Sequence, residues 1–137
     1  MPLKKMKILE AHNGLGAKMI EKSRLDGIWV SSLTHSASHG LPDNELVPLK
    51  ERVELVEEIR RITTKPILVD IDTGGDMRHL PYYIRWFREA GAWAVVIEDK
   101  KYPKENSLLE DLKLAQTKSL KKIGREERYM KRYIDYL

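Results

Sequence analysis

The stretch Ile67-Leu68-Val69-Asp70-Ile71-Asp72-Thr73-Gly74-Gly75 constrains the fold of this chain more than any other. Its apolar start, entered through Lys65-Pro66, reads as a buried strand. Asp70 and Asp72 share one face of that strand, because side chains at i and i+2 point the same way. A glycine turn follows at once, so both acids sit at the carboxyl end, where parallel α/β folds carry their chemistry. Two crowded carboxylates call for a cation, and oxygen ligands of this kind suit Mg²⁺, with Mn²⁺ as a substitute. The plainer reading of such an Asp is a cap on the following helix.

A second strand end repeats the pattern. Ala94-Val95-Val96-Ile97 is a short apolar run that ends in Glu98-Asp99. Period 2 sends these two acids to opposite faces, so one of them can join Asp70 and Asp72, and Glu98 is the better candidate. The following Lys100-Lys101-Tyr102-Pro103-Lys104-Glu105-Asn106-Ser107 mixes ammonium, amide and hydroxyl donors, a kit suited to a phosphoryl or carboxylate group.

Strand and helix alternate along the rest of the chain. Residues 7–12 read as a first strand, Asn13-Gly14 as a turn, and residues 15–22 as a short helix. A second strand over 28–32 leads into a long polar loop over 33–45, which carries His35 and His39, while His79 falls in another loop. A histidine in such a loop reads as a polar surface residue. Pro48 opens a helix whose core face is Leu49, Val53, Val56, Ile59 and Ile62. The third strand spans 67–72, and the helix after it presents Leu80, Tyr83, Ile84 and Phe87 before closing at Ala90-Gly91. The fourth strand spans 94–97. This order predicts parallel βαβ units with right-handed crossovers.

The chain has 137 residues, 42% of them hydrophobic and 34% charged, which suits one globular domain with a real core. It has no cysteine, which excludes disulfides, thiolate metal sites and cysteine nucleophiles. No apolar run approaches the ~20 residues of a membrane span, and the first residues lack the apolar region of a signal peptide, so a cytoplasmic location is the expectation. Residues 1–107 hold 17 basic and 16 acidic groups, a net of +1, and residues 108–137 hold 8 and 5, a net of +3. The basic excess therefore belongs to the tail. Residues 108–137 read as two helices parted near Gly124, with Tyr129, Met130, Tyr133, Ile134 and Leu137 as an apolar stripe opposite Arg125, Arg128, Lys131 and Arg132. That stripe is better suited to packing than to binding a membrane or nucleic acid.

Six separated motifs now fall in one order. They are Glu10-Ala11-His12-Asn13-Gly14-Leu15, Gly27-Ile28-Trp29-Val30-Ser31, Asp43-Asn44-Glu45, Asp70-Ile71-Asp72-Thr73-Gly74, Glu98-Asp99-Lys100 and Pro103-Lys104-Glu105-Asn106-Ser107-Leu108. Over roughly residues 8–108 they resemble the phosphoenolpyruvate mutase family of the isocitrate lyase superfamily. True isocitrate and methylisocitrate lyases carry a cysteine in the loop after the fourth strand, and the loop here looks like the mutase gating loop instead.

The resemblance implies an α/β fold, part of a (β/α)8 TIM barrel, with about four βα units in residues 1–107 and a basic helical tail in 108–137. It implies a phosphomutase (an isomerase of phosphonate biosynthesis) that interconverts phosphoenolpyruvate and phosphonopyruvate. By resemblance Asp70 is the direct Mg²⁺ ligand, and Asp72 and Glu98 hold the ion through water. Ser31 and Ser32 would hydrogen-bond the substrate carboxylate, in a pocket shaped by Trp29. Ser32 stands where the mutases have glycine. Asp43 would lie against the migrating phosphoryl group, and Lys104, Asn106 and Ser107 would close over the substrate. The family assembles as an oligomer, so a homo-oligomer is expected alongside the small-molecule substrate, with neither membrane nor nucleic acid as a partner.

A (β/α)8 domain needs ~250 residues, and only four strands are readable here. The arginine and histidine that the family brings from later strands have no counterpart. Three readings stay open: a mutase or a close relative such as phosphonopyruvate hydrolase or a C–C or C–P lyase, completed by self-association; an inactive truncated relative; and a half-barrel that serves as a binding or scaffold module.

Overall fold

Apolar runs separated by amphipathic stretches build a parallel sheet. The computed structural model describes residues 5–99. Its elements are β1 (Ile8–Glu10), α1 (Gly14–Glu21), β2 (Gly27–Val30), α2 (Ser32–Ser38), α3 (Leu49–Arg60), β3 (Ile67–Asp70), α4 (Leu80–Ala90) and β4 (Ala94–Val96). The strands form one four-stranded sheet in the order β1-β2-β3-β4, and every pairing is parallel. Sequential parallel neighbours joined through helices are the repeating unit of a (β/α) barrel. The sequence expectations for the gating segment and the helical tail fall outside the described residues.

Register divides each strand between two faces. Ile28 pairs with Ile67, and Val30 with Val69, which in turn pairs with Val95. All five are buried, and they meet Val53, Val56 and Ile59 of α3 and Leu80, Ile84 and Phe87 of α4 in one core. The expected core faces of both helices are therefore the ones used. Trp29 alternates to the other face, in register with Glu10 and Leu68, and stays partly exposed. Gly91 closes α4 in the left-handed region at φ 99°, as a helix-ending glycine should.

A polar brace fixes the opposite end of the sheet from the acids. The Lys65 ammonium donates to the carbonyls of Ile20, Ser23 and Leu25 at 2.8, 2.9 and 2.7 Å, so it gathers the end of α1 and the turn after it. Glu21 accepts from Thr63, and from the hydroxyl of Thr64 at 3.2 Å. These contacts tie α1 to the entry of β3.

The fold departs from the sequence reading at one element. Residues 33–45 were expected to be a long loop, yet Ser32–Ser38 form α2. The helical period is present, but polar residues carry it: Ser32, His35 and Ser36, spaced by three and one, are the buried face. His35 is therefore a core residue, 4% exposed, and not the surface loop residue its polar neighbourhood suggested. His39 and His79 sit at the ends of α2 and α4, just outside the helices.

Candidate metal centre

Asp70 is the last residue of β3, and its carboxylate is held from two sides. One oxygen accepts from the Ser32 hydroxyl at 2.9 Å and more distantly from the Ser32 backbone N–H at 3.4 Å. The other accepts from the backbone N–H of Asp72 at 3.0 Å. Both strand ends thus cooperate: β2 delivers Ser32 as it turns into α2, and β3 delivers Asp70.

Asp72 reaches the site by a different route from the one expected. The strand stops at Asp70, and Asp72 takes a left-handed backbone at φ 54°, followed by Gly74 at 81° and Gly75 at 68°. A non-glycine residue there carries strain of about 1–2 kcal/mol, a feature that clusters at functional sites. Neighbours hold it in place. Ile71 N–H donates to Val96, and Glu98 N–H donates to the Asp72 carbonyl at 2.6 Å, which ties the β4 end to the turn. Glu45, itself at φ 57°, accepts from the Thr73 N–H at 3.1 Å and from its hydroxyl at 2.9 Å.

These constraints bring Asp70, Asp72 and Glu98 together. Each offers a carboxylate oxygen, and the three lie within 4.8 Å of one another. Burial, with the like charges of Asp72 and Glu98, pushes the Asp70 carboxyl above its ordinary range; the Asp72 N–H and the Ser32 hydroxyl pull it back in part. Three hard oxygen donors with mutual repulsion fit a Mg²⁺-sized cation well, and no softer donor is among them. The cluster is the only group of its kind among the described residues.

The sequence did not point to the side chain beneath these acids. Arg52 of α3 is 0% exposed, although its neighbours in sequence placed it only on a charged helix. Its Nη1 donates to Asp72 Oδ2 at 2.8 Å and to the Asp70 carbonyl at 3.0 Å, and its Nε faces His35 Nδ1 at 3.4 Å. The His35 ring accepts at Nδ1, which puts its proton on Nε2. Burial first, then the Arg52 charge, pull this histidine down to about 4, so it is neutral. The one available signal for Arg52 was its place beside Val53 on the apolar side of the helix.

The remaining expected residues are distributed around this centre. Asp43 is buried in the turn between α2 and α3. Ser31 precedes α2 as its N-cap and accepts from the His35 N–H at 3.1 Å. Trp29 lies two residues earlier on the same strand path, on the partly exposed face of the sheet. Lys104, Asn106 and Ser107 lie outside the described residues.

An all-parallel run of βα units with a cluster of carboxylates able to hold a cation at the strand carboxyl ends defines the class: a barrel-type α/β protein. Residues 2–131 match the family model of phosphoenolpyruvate phosphomutase. The chain belongs to that family, within the superfamily that also contains the isocitrate and methylisocitrate lyases. It is 38% identical over 104 residues to the phosphonopyruvate hydrolase of Variovorax sp. (strain Pal2), covering 75% of this chain and 36% of that protein. The crystal structure of phosphoenolpyruvate phosphomutase from Streptomyces platensis subsp. rosaceus superposes with a TM-score of 0.73 at 38% identity, over 77% of this chain and 37% of that one. Phosphonopyruvate hydrolase in complex with oxalate and Mg²⁺ superposes with a TM-score of 0.71 at 35% identity, over 74% and 36%. The fold is thus part of a TIM barrel, and the chain spans a little over a third of the length of these relatives.

Proposed function

We propose that this chain carries the metal half of a phosphoenolpyruvate mutase-type active site and takes phosphoenolpyruvate or phosphonopyruvate with Mg²⁺. The observation that carries the proposal is the convergence of Asp70, Asp72 and Glu98 within 4.8 Å at the ends of β3 and β4. The hydrolase relative solved with oxalate and Mg²⁺ supports the same ion and a small dicarboxylate-like ligand here.

In the mutase direction the phosphoryl group leaves the enol oxygen and joins the methylene carbon, so one O–P bond breaks, one C–P bond forms and no atom is lost. When bound, Mg²⁺ supplies positive charge for the pyruvate enolate oxygens. Asp70 would hold the ion directly, its carboxylate already aimed by Ser32 and the Asp72 N–H. Asp72 and Glu98 would orient the ion's water ligands. Ser31, with the start of α2, would receive the substrate carboxylate, and Trp29 would wall its pocket. Asp43, buried nearby in sequence, would face the phosphoryl group as nucleophile or electrostatic partner. Lys104, Asn106 and Ser107 would exclude water, which otherwise hydrolyses the transferring group. Ser32 orients Asp70 in this reading, with its hydroxyl at 2.9 Å and more distantly with its backbone N–H at 3.4 Å.

The test is phosphonopyruvate with Mg²⁺, followed by phosphorus NMR. A mutase returns phosphoenolpyruvate, whereas a hydrolase releases phosphate and pyruvate; the chain is 38% identical to a protein of each kind, so the hydrolase stands as the alternative reading. A spectrum unchanged by the chain, and identical for Asp70→Asn, would reject both and leave a non-catalytic half-barrel.

A further inference from the structure

We propose that Arg52 is a built-in counter-cation for the acidic centre, which stands in for part of the metal's charge and thereby lowers the affinity for it. The inference rests on the reading of Asp70, Asp72 and Glu98 as the metal centre, and goes beyond it. Arg52 is fully buried, yet it comes from α3, an element that contributes none of the three acids. Its guanidinium meets Asp72 Oδ2 at 2.8 Å and the Asp70 carbonyl at 3.0 Å, so it bridges the end of β3 and the turn that follows. Its Nε meets a neutral acceptor, His35 Nδ1, at 3.4 Å, so the histidine braces the arginine without offsetting its charge.

The charge count sets the sign of the effect. Three carboxylates lie within 4.8 Å of one another, and one of them, Asp72, is only 2% exposed. Among the described residues Arg52 is the cation in contact with that set. A partly buried cluster of this kind, with Glu98 only half-buried, favours a cation that enters it. With Arg52 in place, one unit of that demand is met before metal arrives, and one oxygen of Asp72 is already engaged. Arg52 is therefore a positioning residue with two opposed effects: it shapes the site without metal, and it weakens the electrostatic pull on the ion.

The variants Arg52→Gln and Arg52→Lys separate charge from hydrogen bonding, since both keep a donor and only lysine keeps the charge. The readout is Mn²⁺ binding to the whole chain by electron paramagnetic resonance, with melting temperature with and without Mn²⁺. R52Q is expected to bind Mn²⁺ at least about tenfold more tightly than the native chain and to gain more thermal stability from it. R52K is expected to stay within about threefold of the native affinity. An R52Q chain that folds only with Mn²⁺ present supports the proposal in its strongest form, because the metal then replaces the arginine. An R52Q chain that folds in neither condition overturns it, as does equal or weaker binding in R52Q than in R52K. Binding that is absent from the native chain and from R52Q alike rejects the metal centre itself. Binding in the native chain that R52Q leaves unchanged rejects only the role of Arg52.

Discussion

Asp70 is where strand, helix and the proposed metal centre meet, so a single substitution there is the sharpest probe. A metal that binds only the folded chain, at about a hundred times its Kd, adds about 2.7 kcal/mol to stability. Saturating Mn²⁺ is expected to raise the melting temperature by several degrees, and Asp70→Ala to abolish the rise; a native melting curve indifferent to Mn²⁺ would argue against an assembled centre. His35 gives a second prediction at this scale, through pH. Its folded ring stays neutral down to about 4, below the ordinary 6.5, because it is buried beside Arg52. Between those values the unfolded chain binds the extra proton, so stability falls as pH drops from 6.5 toward 4. The raised Asp70 acts in the opposite sense, since its folded form takes a proton earlier than the unfolded one. Comparison with His35→Gln isolates the histidine: the variant is expected to lose on the order of 2 kcal/mol of this pH dependence, measured by urea unfolding at pH 6.5 and pH 4.5. Identical slopes would show that His35 does not stay neutral. The carboxylates were legible in sequence because acids at a strand end are rare and clustered. Arg52 and His35 were not, because a buried charge is recognisable only through the partners that the fold supplies.

Helices and strands were readable to the extent that apolar residues carry their period. The face of α3 from Leu49 to Ile62 and that of α4 from Leu80 to Phe87 were legible because Val, Ile, Leu and Phe mark them. The α2 helix was hidden because its buried positions are Ser32, His35 and Ser36, and a hydrophobicity pattern is blind to a polar face turned inward. Strand ends were overrun for a related reason. Ile71 is apolar and buried, so the run looks continuous, while the Asp72 backbone has already turned left-handed. Gly91 shows the same logic at a helix end. Its φ of 99° is costly for any other residue, and an added Cβ would lie 2.7 Å from Arg60 Cγ. Arg60 is not free to yield, since it also donates to the Lys65 carbonyl at the entry of β3. Gly91→Ala is therefore expected to destabilise the chain by on the order of 2 kcal/mol in chemical denaturation. A loss within experimental error would mean that Arg60 swings away at no cost.

At the scale of the molecule, the sheet carries demands that its own elements do not meet. Among the described residues β1 pairs only with β2, and β4 only with β3, so one edge of each strand has no sheet neighbour. Leu9, in the middle of β1, is 55% exposed, although Ile28, its register partner on β2, is fully buried. The face holding Trp29 and Leu68 is also only half covered, where a closed barrel would pack it into layers. Unpaired parallel edges and apolar surface of this kind promote association. The purified chain is accordingly expected to sediment as a dimer or larger species at micromolar concentration. Leu9→Lys is expected to shift it toward monomer, because a charge on an edge strand opposes pairing. A compact, cooperatively unfolding monomer of the native chain would instead mean that residues 100–137 cover this surface, and would make the tail, with its Tyr129, Tyr133, Ile134 and Leu137, a cap for the sheet. Truncation after residue 107 separates the two, since it would drive association only if the tail is that cap.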